Sequence, residues 1–473
     1  MEARYALRKR QLLDECQMDP EIFEQVMPRL HTFMKPFVRI FQGQAADQHA
    51  KTSVCGLLSN VERKNIESIA YRLGQSRLPL QSFIGWDAWD DAPLREELRS
   101  QVKTHLGQSD GVLVFDPSGF PKSGRESVGV ARQWCGRLGK VDNCQVAIYL
   151  GYVSRKGHTL VDTRLYLPKE WTKDTARLDK AGVPKTSRAY RTRHQLALEM
   201  LEKNGAALPH RWIAGDDEMG RPSWFRRRLA GLGEQYMLAV PANTSMRDME
   251  VERPASSARG RRPQRPWQHV AAWSQALDDT AWHRIDVRDG SKGPLVVEAV
   301  QRRVVSRTHR RQQGDPETLV VLRYRDRDQA QVVQVDYDLS NAAPETPLGE
   351  FARVAKAEHR IEECLQRSKS EAGLADYEVR NWTGWQHHQT LSLLATWFLV
   401  RETERGKKWT PAITLPQIRQ GIALILYEVF QCGTLSQRLK ECQQRLQRNE
   451  LARFYHWKQR KLLAPLNLYK RLF

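Results

Sequence analysis

An apolar run from Val112 to Phe115 stops abruptly on Asp116, and no other stretch constrains this chain as tightly. Turn formers follow (PSGFPKSG, residues 117–124), and alternating apolar residues resume at 144–149 (CQVAIY). Four apolar residues in a row, bounded by Gly and Pro, read as a buried strand. A strand that ends on a carboxylate delivers that acid into a loop at the sheet's edge. Alone, Asp116 would simply begin a turn, because Asp readily hydrogen-bonds its own backbone there. Its meaning depends on which other acids the fold brings beside it.

The following pattern is that of a layered α/β protein. A strand at 144–153, a turn at Arg155–Gly157 and a strand at 159–167 form an antiparallel meander. Helical spacing covers 188–203, and a second apolar run, Trp212–Gly215, ends on Asp216, Asp217 and Glu218. A basic helix (224–232) and a strand (235–240) complete three antiparallel strands extended by parallel ones. Asp116 and Asp216 each sit just past a strand's apolar stretch, where open α/β sheets bind ligands. Ahead of this core, 1–107 reads as a helical domain, with helices near 21–30, from a Ser59 cap to Tyr71, and over 94–106. About 110 residues separate Val240 from the next long helix, too many for a connection, so 245–345 is expected to be an inserted, β-rich subdomain. The core then spans 108–244 and resumes over 346–400. Its second part holds a helix on which Glu362 and Lys369, seven residues apart, project the same way about 10 Å apart along the axis. Gly373 ends that helix, and an apolar helix follows over 388–400.

Charge narrows the class of partner. The net charge is +20, and it is concentrated: residues 253–311 carry a net +8 and the basic helical region 401–473 a net +10. Arg exceeds Lys in both, which suits bidentate phosphate contacts, and charge of this density is the footprint of a nucleic-acid binder. No apolar run approaches the roughly 20 residues that span a bilayer. The first residues mix charges of both signs, so neither a secretory signal nor a membrane location is expected, and the cytoplasm is. Seven Cys without a CxxC pair form neither a disulfide framework nor a zinc spacing.

Asp116, Asp216 and Glu362 are chemically sufficient oxygen donors for two divalent metals that leave open positions for substrate and water. Lys122, Arg125 and Arg132, in the stretch after Asp116, are placed to hold phosphates, against a plain surface-turn reading. Trp382, Trp385, His387 and His388 read as packing residues. Trp134 and Trp171 are aromatic candidates to stack on a base, with core burial the simpler expectation.

Several stretches together carry a resemblance: FDPSGFPKSG (115–124), SVGVARQWCG (127–136), GKVDNCQ (139–145), LYLPKEW (165–171), AGDDEMG (214–220), Ile361–Glu363 with Lys369–Leu374, and DYEVRNWTGW (376–385). In combination they resemble the DDE transposases of bacterial insertion sequences, closest to the insertion sequence 701 group, within the superfamily of the Tn-five transposase. The resemblance implies an α/β, RNase H-like mixed sheet with Asp116, Asp216 and Glu362 as catalytic metal ligands. Asp217 and Glu363 are the alternatives, with Glu358 a further rival. The wider signature expects Tyr and Arg seven and four residues before the Glu, where this chain has Ala355 and Glu358. It also implies two Mg²⁺ or Mn²⁺ ions, cleavage at the element's terminal inverted repeats, and strand transfer into double-stranded target DNA by a homodimer on paired ends at the nucleoid. Lys369 would contact DNA near the reacting phosphate. Arg261, Arg262, Arg445, Arg448, Lys458, Arg460 and Lys461 are the DNA-binding candidates in the basic segments. An inactive DNA-binding regulator derived from a transposase and a cellular nuclease of the same fold are the alternatives.

Overall fold

The computed structural model describes residues 20–41, 43–254, 264–290, 293–308, 312–325, 331–411 and 413–429. Its centre is a strand triplet: β1 (Val112–Pro121), β2 (Ala131–Cys135) and β3 (Lys140–Val153), the last joined by a tight turn to β4 (His158–Leu165). β3 pairs antiparallel with β1, β2 and β4. On the other side β1 pairs in parallel with β5 (Trp212–Gly215), which pairs in parallel with β6 (Gln235–Ala239). The order β4-β3-β1-β5-β6 is the RNase H-like mixed sheet. Residues 144–153 of β3 are buried on both faces, as a strand sandwiched between helices must be.

β1 does not stop at Asp116. It continues through PSGFP to Pro121, paired to β3 all the way (Asp116↔Tyr149, Pro121↔Cys144). β5 ends at Gly215, opposite Phe115, so the edge of β1 beyond that point carries no ladder from β5. A proline, which lacks the N–H, is tolerated on such an edge, and the expected turn is displaced to residues beyond 121. β2 was not anticipated from sequence either.

The insertion is β-rich as its composition predicts, but it is continuous with the main sheet. Its strands β7 (Ser245–Asp248), β8 (Gln268–His269), β9 (His283–Gly290), β10 (Gly293–Arg307), β11 (Gln313–Arg325) and β12 (Val332–Ser340) extend the same sheet, with β12 antiparallel to β6 (Leu339↔Leu238). A buried network secures the junction. Arg226 Nε donates to Glu317 Oε1 at 2.7 Å, and Arg226 Nη2 donates to Ser306 Oγ at 2.8 Å. Tyr236 Oη and Ser306 Oγ donate to the same Glu317 carboxylate at 2.8 and 2.7 Å.

One face of the core is covered by the long helix Leu348–Glu371. Gly151 of β3 lets it approach, for a Cβ there would stand 2.4 Å from Ile361 Cδ1. Gly373, at φ 68°, ends it in the left-handed conformation that glycine adopts without strain. Helix Trp382–Gly406 is buried over most of its length beside the N-terminal helices Val26–Val38, Gln44–Leu58, Ile66–Arg72, Arg77–Gly85 and Ala92–Leu106. These helices share one continuous apolar core with the sheet, so residue 107 is no gap in packing. Lys64, 3% exposed, ties them to the long helix by donating to the carbonyls of Leu57 and Glu371. Asn65, not Ser59, caps the helix that begins at Ile66; Ser59 closes the preceding one.

Replacing Arg226 by Met should cost about 3–5 kcal/mol, because it strands the buried Glu317 charge. Urea unfolding followed by circular dichroism measures this, and a loss below about 1 kcal/mol would show that the network does not hold the junction.

Candidate active site

The parallel register of β1 and β5 sets the geometry. Phe115 lies opposite Gly215, so the next residues on the two strands, Asp116 and Asp216, are neighbours where β5 ends. Asp216 is fixed as the cap of the short helix Asp217–Gly220 by accepting the Met219 N–H at 3.0 Å. Gly220 is required behind it, since a Cβ there would strike the Ala239 carbonyl oxygen at 1.9 Å.

The long helix crosses above this pair. At its far end Lys369 Nζ donates to Ser118 Oγ at 2.6 Å, two residues from Asp116 on the same strand face. At its near end Glu350 accepts from the Trp212 indole N–H at 2.9 Å, at the start of β5. Glu358 and Glu362 lie between these anchors, one turn apart and directed to one side.

The electrostatics identify the carboxylates as one group. Burial pushes Asp116 up to about 8, helped by the charges of Asp216, Glu362 and Glu218 and opposed by Lys369. Burial likewise raises Asp216 to about 7; the Met219 N–H and Arg193 oppose the rise, and Glu218 and Asp217 add to it. Glu358 is raised well above the usual range by burial and by Asp338, Asp216 and Asp116. Asp338, on β12 and 4% exposed, is pushed to about 7 by burial and by Asp336, against Lys356. Burial lowers Lys369, and Asp116 partly restores it. Negative charge thus outweighs positive charge in a half-desolvated place, a condition that a cation relieves. Oxygen donors of this kind suit Mg²⁺ or Mn²⁺. Among the described residues, no three His, Cys, Asp or Glu side chains already stand close enough to share one ion.

The other sequence candidates fall in different places. Glu362 is within electrostatic reach of Asp116, yet its side chain is 74% exposed and lies 3.5 Å from His359. Asp217 turns outward to Arg221 at 3.0 Å while its charge still reaches Asp216, and Glu363 lies exposed 3.9 Å from Arg367. Lys122 is not a free phosphate contact: it donates to the Tyr377 carbonyl at 3.1 Å and sits 3.5 Å over that ring. Arg125 and Arg132 are exposed. His387 bridges the Ile84 and Trp89 carbonyls, and His388 contacts the Gly373 carbonyl at 2.9 Å, so both serve packing. Arg261, Arg262, Arg445, Arg448, Lys458, Arg460 and Lys461 lie outside the described residues. Sequence reasoning missed Glu218, which pairs with Arg193 at 2.6 Å beside Asp216, and Asp338. Glu358 entered as a rival ligand through the wider signature, four residues before Glu362; nothing local marked Asp338.

Comparison with known proteins gives the family. The family described as DDE superfamily endonuclease matches residues 36–294, more than half of the chain, and the chain belongs to that family. The matched region contains Asp116 and Asp216 and ends before the long helix. A stretch of 94 residues is 32% identical to the probable transposase for insertion sequence element IS701 of Microchaete diplosiphon, covering 20% of this chain and 25% of that protein. The chain therefore spans about a quarter of that relative's length.

The raised carboxylates have a measurable consequence without metal. Both Asp116 and Asp216 have folded values above the ordinary 3.8, so between about pH 4 and pH 8 the folded chain holds more protons than the unfolded one. Their effect is absent below that window and destabilises progressively as pH rises through it. In chelator, Asp116→Asn should raise stability at about pH 8 by on the order of 1 kcal/mol or more, and by less at about pH 5. Thermal melts at the two pH values test this; an equal or reversed difference would contradict it.

Proposed function

We propose that the chain is a DNA transposase that cleaves DNA at the ends of a mobile element and joins the freed 3′ end to target DNA, with Asp116, Asp216 and Glu362 as its acidic residues. The observation that supports this best is the adjacency of Asp116 and Asp216 at the end of the β1–β5 pairing, beneath a helix bearing Glu362 and Lys369. Membership of the DDE endonuclease family and the IS701 similarity support the nuclease class. Two Mg²⁺ or Mn²⁺ ions, when bound, would activate an attacking water or 3′-hydroxyl and stabilise the leaving oxygen.

The protein's own part is positioning. Asp116, rigid in mid-strand, and Asp216, fixed by its capping bond, supply oxygen donors that need little rearrangement. Glu362 approaches from the helix. Lys369, steadied by Ser118, offers positive charge to a phosphate drawn toward the acids. Terminal inverted repeats and target DNA are the partners, engaged by a homodimer on paired ends in the bacterial cytoplasm. No helix among the described residues is long and apolar enough to cross a membrane. A catalytically silent DNA-binding derivative is the second reading, favoured by the outward, exposed position of Glu362.

Asp116→Asn, Asp216→Asn and Glu362→Gln should each reduce Mg²⁺-dependent cleavage of labelled element ends by about two orders of magnitude or more while DNA binding persists. Retained cleavage in a variant removes that residue from the chemistry. Binding without cleavage or joining by the unaltered chain, in Mg²⁺ and in Mn²⁺, selects the silent derivative.

A further inference from the structure

The hairpin formed by β2 and the start of β3 has no part in the carboxylate chemistry, yet it lies beside it. Its strands pair from Ala131↔Cys144 to Cys135↔Lys140, and the turn Gly136–Leu138 closes on Gly139 at φ 60°. The hairpin leans on β1: a Cβ on Gly119, three residues beyond Asp116, would stand 3.0 Å from Cys135 Sγ. Arg137 at its tip is near enough to Lys369 to disfavour that lysine's charge.

Its outer surface is unusual. Trp134 is 53% exposed, its cross-strand neighbour Val141 51%, and Leu138 at the tip 41%. Trp171, the other aromatic candidate, is fully buried and donates its indole N–H to the Val130 carbonyl at 2.8 Å. Leaving a Trp in water forgoes about 2–3 kcal/mol of burial, so grouped exposure of this kind marks a contact surface. Around it stand exposed Arg132, Arg137 and Lys140, the last 3.1 Å from Asp142. An aromatic face flanked by guanidinium groups matches the chemistry of nucleic acid, whose bases stack and whose phosphates pair with Arg. A docking surface for protein would be poorer in charge at its centre.

We propose that hairpin 131–144 is a DNA-reading element in which Trp134 stacks on an unpaired base beside the reacting phosphate while Arg132 and Arg137 hold adjoining phosphates. This rests on the transposase reading and adds to it a preference for opened DNA near the site.

The test uses the full chain, a forked duplex with 2-aminopurine in its unpaired arm, and a fully paired duplex of the same sequence. Trp134→Ala should weaken binding of the forked duplex about tenfold and abolish the 2-aminopurine fluorescence change, with at most about a twofold effect on the paired duplex. Trp134→Phe should keep most of both signals. Because Trp134 is exposed, the Ala variant should melt as the unaltered chain does. Unchanged forked-duplex binding by Trp134→Ala, or equal weakening on both probes, overturns the proposal. So does a change in oligomeric state with DNA binding intact, which would assign the surface to a second copy. If the unaltered chain binds neither duplex, the transposase reading itself fails.

Discussion

Everything at the site follows from where the parallel pairing of β1 and β5 ends. Parallel pairing that ends at Phe115 and Gly215, a residue short of each Asp, places two carboxylates side by side where β5 stops and β1 runs on, and neither is fully hydrated. Like charges at short range in a medium of low polarity repel strongly. The fold nevertheless keeps them, one fixed in a strand that β3 holds over its full length and the other in a helix cap. The surrounding structure therefore accepts a local cost, the usual mark of a site prepared for a charged partner.

The long helix belongs to the same constraint. It is anchored at both ends to the strands that carry the acids, through Glu350 to the start of β5 and through Lys369 to Ser118 of β1. Gly151 lets it lie close enough to β3 for Ile361 to fill the intervening space. Any acid on its site-facing side is thereby brought toward Asp116. Glu358 is the inner of the two and Glu362 the outer, so the helix offers one half-buried and one exposed carboxylate to the same space.

How much of this was legible in the sequence depends on the range of the interaction that decides it. The apolar runs ending on Asp116 and Asp216 are local signals, as are the helical spacing of Glu362 with Lys369 and the stop at Gly373. All of these have counterparts in the fold. The continuation of β1 through two prolines was not legible, because what permits it is the absence of β5 beyond Phe115, a fact about another strand. Lys122 looked like a phosphate ligand by neighbourhood alone; its capture by Tyr377, some 250 residues away, has no sequence signature. Asp338 enters through the pairing of β12 with β6 across an insertion, the kind of contact that periodicity cannot reveal.

That last contact changes how the insertion is understood. An appended β subdomain would be free to vary without consequence for the site. This one extends the central sheet strand by strand, is secured through Arg226 and Glu317, and presents Asp336 and Asp338 toward the long helix. Strain or displacement in β12 would thus be felt by Glu358, whose surroundings include both its acids and those of the core. On the opposite flank the β2–β3 hairpin leans on β1 just beyond Asp116. The acids consequently lie between Asp336 and Asp338 of β12 on one side and the exposed Arg132, Trp134 and Arg137 of the hairpin on the other. On the proposed transposase reading, the hairpin's cations rather than those two acids would meet a phosphate backbone, which favours its approach from the hairpin side, over Lys369.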